Sequence, residues 1–167
     1  MPFFVSDFAL HPDRFIEERA RDHLRQLTSV GPRPAGSYEN EVLAVEFIRR
    51  RLTSIQKATK SVHNLIIDVQ KPRGSFNLQF VDGLTQNYRD ITNIVVKVES
   101  SLHSSKDALL VNCHFDSVPQ SPGASDDAVS CAIMLEVLEV ITQSDVPLRN
   151  SIIFLFNGAE ENLLPAR

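Results

Sequence analysis

Residues 108–127, ALLVNCHFDSVPQSPGASDD, constrain the fold of this chain more than any other stretch. An apolar run ends at His114-Phe115-Asp116, a Pro/Gly loop follows, and Asp126-Asp127 stand just ahead of a helical pattern. A short apolar run bounded by turn residues reads as a central strand buried on both faces. The pattern over 128–141 predicts a helix with Ile133, Leu135, Val137, Leu138 and Val140 inward, and 151–156 (SIIFLF) a second fully buried strand. Strand, helix, strand is a crossover unit and implies parallel pairing. Binding sites in such sheets form beyond the carboxyl ends of the strands. His114 and Asp116 follow one such end, and Glu160-Glu161 follow the other.

Upstream, Ile16, Ala20, Leu24 and Leu27 recur at helical spacing within 12–28, behind an irregular lead-in over 1–12. GPRPAGS (31–37) breaks that helix with two prolines and two glycines. Ser37 is placed to cap a second helix, which runs to about Gln56 with Leu43, Phe47, Ile48, Leu52 and Ile55 inward. Arg49-Arg50-Arg51 on it reads as a solvated face. The β-rich run 65–69, the turn Pro72-Arg73-Gly74 and the alternating Phe76, Leu78 and Phe80 suit an antiparallel hairpin. Residues 83–90 read as a loop and 91–98 as another strand. The expected class is α/β, with a mixed, largely parallel sheet flanked by helices.

A chain of 167 residues with 43% hydrophobic residues is long enough for one domain with a real core. Its net charge of -4 offers no nucleic-acid surface. No run approaches the ~18 apolar residues that span a bilayer. The N-terminus lacks the basic region of a signal peptide. Two cysteines, Cys113 and Cys131, make no disulfide framework and read as separate buried thiols. Cys113 alternates with His114 and so points to the opposite face.

The site chemistry follows from the side chains. His114 supplies an imidazole to a divalent ion, and Asp116 is spaced to orient the ring through its other nitrogen. Asp126, at a helix N-terminus, stays ionised and has two oxygens with which to bridge two metals. Of the adjacent glutamates, Glu161 suits a ligand and Glu160 a base that takes the proton of an attacking water. Singly, each motif is more often incidental: a chance His-x-Asp, a helix cap, a solvated loop. Their joint placement at consecutive strand ends reverses that preference. His11, His23, His63 and His103 lie on early helices or loops and read as structural. There is no Gly-x-Ser-x-Gly, no Gly-x-x-x-x-Gly-Lys and no His-Glu-x-x-His. Phe115-Asp116-Ser117-Val118 lacks the glycine of an aspartic-protease loop.

The ordered motifs NCHFDSV, SPGASDDAVSCAIMLEVL and IIFLFNGAEEN, with GPRPAGSYENEV upstream, resemble the M28 family of dizinc metallopeptidases. The resemblance covers about 13–162 and implies a zinc-exopeptidase-like fold. It implies that His114 is a terminal zinc ligand, Asp126 the bridging carboxylate, Glu161 a ligand to the other zinc, Asp116 the support of His114 and Glu160 the general base. Asp127 corresponds to a neighbour that is not a ligand. The implied activity is aminopeptidase-type hydrolysis of peptide or protein substrates. The most similar group carries membrane spans after the peptidase domain and resides in the endoplasmic reticulum. The family also implies a further Asp and a further His downstream, and no residue after Glu161 can serve. The expectation is therefore that 13–167 is the N-terminal part of a C-terminally truncated peptidase domain, inactive alone, with an exposed apolar edge beside 151–156. The alternatives are a peptidase-like scaffold that only binds and, further off, glutaminyl cyclisation.

Overall fold

The computed structural model describes residues 14–78 and 83–161. The lead-in over 1–12 and Phe80 lie outside them. Helix α1 (Glu17–Thr28) buries Ala20 and Leu27, as its spacing predicts. Ser37 does cap the next helical segment: its hydroxyl accepts from the Asn40 N–H at 3.1 Å. Wide π-type turns over Glu39–Ala44 lead into α2 (Val45–Ala58). Phe47, Ile48, Leu52 and Ile55 face the core, but Leu43, expected inward, is exposed on the wider turns. Arg49 and Arg50 are solvated, whereas Arg51 is half-buried and pairs with Glu139 at 3.4 Å.

Strand β1 (His63–Gln70) does not pair with β2 (Gly74–Leu78) as a hairpin, contrary to the sequence expectation. β2 pairs instead with β3 (Leu84–Tyr88), in the stretch expected to be a loop, and the two form a separate antiparallel ribbon. β1 pairs along its whole length with β4 (Asn93–Ser100), whose alternate residues Ile94, Val96 and Val98 are fully buried. Residues that alternate cleanly on one face fix register more strongly than sequence proximity does.

β5 (Ala108–His114), α3 (Val129–Thr142) and β6 (Ser151–Asn157) form the expected crossover, and β5 runs parallel to β6. The main sheet has the order β1-β4-β6-β5. It is mixed: β4 is antiparallel to β1 and β6, so the parallel share is confined to β5–β6. β6 lies between two strands and is not the edge. β5 is one of the sheet's two edges among the described residues, with Leu109 and Leu110 61% and 58% exposed, so the expectation of a doubly buried central strand fails there. On α3 the inward residues are Cys131, Ala132, Met134, Leu135 and Leu138, while Ile133 faces solvent. The core packs α2 and α3 against Phe154, Phe156 and the inward face of β4.

Candidate metal centre

The last residue of β5 is His114, and the last of β6 is Asn157, its partner in register. Both strands thus open their carboxyl ends to the same side, and the loops that follow carry the acidic residues. Asp116 has no exposed surface. Its Oδ1 lies 3.4 Å from His114 Nδ1 and accepts the Glu160 N–H at 3.0 Å. Its Oδ2 accepts the Glu161 N–H at 3.0 Å. One buried carboxylate therefore orients the imidazole and ties the loop after β6 to the loop after β5. With Nδ1 turned to Asp116, Nε2 is left to face the site.

His114 Nε2 lies 3.1 Å from Asp126 Oδ1 and 3.7 Å from Glu160 Oε2. Donor atoms of His114, Asp126 and Glu161 all fall within 4.8 Å of one another. The hydrogen bond to Asp116, with the charges of Asp116, Asp126 and Glu160, pushes the His114 pKa up to about 9 against the effect of burial. Partial burial, then the Asp126 carboxylate, raises that of Glu161. An imidazole ringed by carboxylates and open to solvent on one side could hold a divalent cation. Asp126 stands ahead of α3 in extended conformation rather than in its first turn, and its side chain is 78% exposed. Asp127 turns away from the donor group: its Oδ2 accepts the His114 N–H at 3.4 Å.

The platform under these loops was not visible in the sequence. Arg33, from the segment that reads only as a helix break, is completely buried. Its Nε donates to the Phe115 carbonyl at 2.8 Å, its N–H donates to Ser117 Oγ at 2.9 Å, and its own carbonyl accepts the Ser117 N–H at 3.0 Å. Asn40 donates from Nδ2 to the Gly158 carbonyl at 2.7 Å, and Glu41 accepts the Thr92 N–H at 3.0 Å. Gly158 is packed so closely that a Cβ there would lie 2.3 Å from the Thr92 carbonyl oxygen. The two prolines around Arg33 are the one local hint of a fixed conformation.

A second cluster, His23, Glu136 and Glu139, also brings possible donors together. Its carboxylates are already neutralised. Glu136 accepts from Arg19 Nε, from Arg19 Nη2 at 2.7 Å and from the Ile16 N–H at 2.8 Å, while Glu139 pairs with Arg19 and Arg51. This is an internal ion-pair network, and His23, Arg19 and Arg51 are its structural members.

Residues 93–166 match peptidase family M28. The matched segment runs from the start of β4 and takes in every donor of the group. The chain is 52% identical over 152 residues to endoplasmic reticulum metallopeptidase 1 of Rattus norvegicus, covering 91% of this chain and 17% of that protein. It is 51% identical over 156 residues to the Homo sapiens protein of that name, covering 93% and 17%. The chain thus spans 17% of the length of these curated relatives. Among solved structures, LapA aminopeptidase of Legionella pneumophila superposes with a TM-score of 0.68 at 15% identity, covering 96% of this chain and 39% of that one. Glutaminyl cyclase of Porphyromonas gingivalis superposes with 0.60 at 19%, covering 86% and 45%. At these identities the chain shares a fold with both, and the fold by itself does not choose between their chemistries.

Proposed function

We propose that residues 13–167 are the N-terminal part of an M28-type metallopeptidase domain that hydrolyses peptide bonds, with aminopeptidase-type action on peptide or protein substrates. The observation that carries this reading is the convergence of His114, Asp126 and Glu161 with Glu160 at their side. The donor set is nitrogen and oxygen only, which fits zinc. His114 would hold one ion, Glu161 a second, and Asp126 would bridge them. Bound zinc polarises a carbonyl and lowers the pKa of a water. The chain's own groups do the rest. Asp116 fixes the ring of His114 and the backbone of both glutamates. Glu160, exposed and beside Nε2, takes the proton of the attacking water and returns it to the leaving amine. A cavity of about 460 Å³ beside it, lined in part by Arg73, Tyr88, Ile91 and Asn93, is the place for substrate.

Among the described residues each of two ions would find two protein ligands, fewer than the three of a catalytic zinc. We therefore expect purified 1–167 to bind zinc weakly and to turn over aminoacyl substrates little or not at all. That count is also what favours a binding-only scaffold as a second reading of this stretch. The relatives' names support the endoplasmic reticulum as the compartment. Among the described residues no helix is long and apolar enough to cross a membrane. Zinc titration by calorimetry and an aminoacyl-amide assay, with Glu160→Gln beside the parent chain, test the proposal. Binding that is lost in His114→Ala supports the site. Robust turnover by 1–167 that disappears in Glu160→Gln would overturn the expected inactivity.

A further inference from the structure

β1 forms the end of the main sheet opposite β5, because among the described residues it pairs with β4 alone. In an antiparallel pair, successive residues turn their N–H and C=O groups alternately toward the partner and away from it. The Ser101 N–H donates to the Val62 carbonyl and the His63 N–H to the Lys60 carbonyl. The even residues of β1 therefore bond to β4, and the odd ones face outward. Gln56 Nε2 donates to the Leu65 carbonyl at 3.0 Å and covers the edge there. Along Ile67 and Val69 no further strand covers it among the described residues.

Beside this open end lies a groove of about 720 Å³ between α2 and the end of β1. Arg49, Arg50, Lys57 and Lys71 line it, and all four are exposed. Arg49 and Lys57 stand two turns apart on one face of α2. The carboxylates of the groove are already engaged: Glu46 lies 3.8 Å from Arg50 Nε, and Glu41 accepts the Thr92 N–H at 3.0 Å. A chain with a net charge of -4 thus carries a cationic groove against an open strand edge. On the opposite face of the sheet, Ile66 is 44% exposed.

We propose that the outer edge of β1 docks an extended, acidic segment of a partner protein as an added strand. The outward backbone groups of Ile67 and Val69 carry the new ladder. Alternate side chains of an added strand fall on opposite faces of the sheet. Acidic side chains at every second position enter the groove against Arg49, Lys57 and Lys71, and apolar ones between them cover Ile66. A second copy of this chain is a poor occupant, because antiparallel pairing of two β1 edges sets two cationic grooves side by side. The groove shares no donor with the candidate metal centre, and the docking stands whether or not the chain hydrolyses peptides.

The probe is a fluorescein-labelled peptide in which glutamate and valine alternate, titrated with 1–167 and read by anisotropy. Saturable binding is expected, with none by the peptide in which lysine replaces glutamate. Arg49→Glu/Lys57→Glu is expected to weaken it about tenfold or more, because like charges then meet. Salt at about 1 M, where the screening length is ~3 Å, is expected to weaken it as well. Val69→Pro removes an outward N–H from an edge strand, where proline is tolerated, and is expected to reduce binding with the circular dichroism of the parent retained. Should that variant unfold, slower hydrogen exchange of the Ile67 and Val69 amides on adding peptide to the parent reads the same contact. Absence of binding overturns the proposal, as does equal binding of the lysine peptide. Binding with neither an effect of Val69→Pro nor amide protection overturns the strand geometry. Cosedimentation with phosphatidylserine vesicles in place of peptide binding assigns the groove to a membrane surface. A dimer in sedimentation that Val69→Pro dissociates assigns the edge to a second copy. Either result overturns the proposal.

Discussion

Asp116 has no exposed surface, yet it is the residue on which the two halves of the donor group depend. Its oxygens face an imidazole and two backbone N–H groups. Asparagine keeps one acceptor and turns an NH2 toward one of these donors, so a buried N–H is left unpaired. Asp116→Asn is expected to weaken zinc binding 10- to 100-fold and to lower stability by about 1–3 kcal/mol, read by calorimetry and urea unfolding. Unchanged affinity would mean that His114 needs no such partner. His23 gives a second prediction at this scale. It sits edge-on to Phe47, with ring centroids 6.5 Å apart, and Arg51 lies 3.4 Å from its Nε2. Burial, then Arg51 and Arg19, lower its pKa from 6.5 to about 4. Between those values the unfolded chain binds a proton that the folded chain refuses. Stability is therefore fully present above pH 6.5 and falls as the pH drops toward 4, by roughly 3 kcal/mol. Glu139, raised by burial, takes up its proton more readily when folded and offsets part of the loss near the acid end. Urea midpoints at pH 7 and pH 5 check this: the parent loses stability over that range, and His23→Gln flattens the slope. Equal slopes would remove His23 as the cause.

At the scale of elements, β5 joins a site-bearing end to an apolar edge. Leu109 and Leu110 lie on a strand with no further strand paired to its outer side among the described residues, which is the geometry of edge-to-edge association. Leu110→Lys is expected to leave the Tm within about 2 °C, because the side chain is mostly exposed, and to reduce self-association in light scattering at high concentration. A scattering profile identical to the parent's would clear this edge of the role. The same strand shows what could be read from residues alone. Its position and its ending at His114 were legible, because an apolar run stopped by turn residues has few other solutions. Its burial was not, because apolar composition records fitness for burial and not the presence of a neighbour. The hairpin expected between 65–69 and 76–80 failed for a related reason. Proximity in sequence favoured it, whereas the unbroken alternation of β4 gave β1 a longer partner. The donor residues were legible because strand ends gather them whatever the order of the strands. Arg33 and Asn40 were not, because a buried arginine bonded to backbone carbonyls leaves no pattern in the sequence around it.

For the molecule as a whole, the question is how far metal binding and folding are coupled. The donors come from three places: the end of β5, the turn before α3 and the loop after β6. A metal that joined all three tightly would stabilise the fold by mass action, by about 2.7 kcal/mol at a hundredfold excess over the dissociation constant. The protein already holds these places together without it. Asp116 ties the two loops, Arg33 from the segment after α1 and Asn40 from the turns ahead of α2 brace them, and the core beneath is continuous from α2 to β6. A site prepared in this way and holding few protein ligands per ion has little folding energy to gain. Zinc at micromolar concentration is therefore expected to raise the Tm of 1–167 by no more than about 2 °C, since binding near half-saturation contributes only about 0.4 kcal/mol. EDTA is expected to leave the fold intact, checked by far-UV circular dichroism. Unfolding on chelation would show that zinc is an organiser of this structure, as in small zinc-dependent domains, and that the hydrogen-bonded platform is too weak to hold the site open. A large zinc-induced rise in Tm that survives Asp126→Ala would point to ligands other than Asp126. A small rise abolished by that substitution is the behaviour of a site built by the fold and completed by metal.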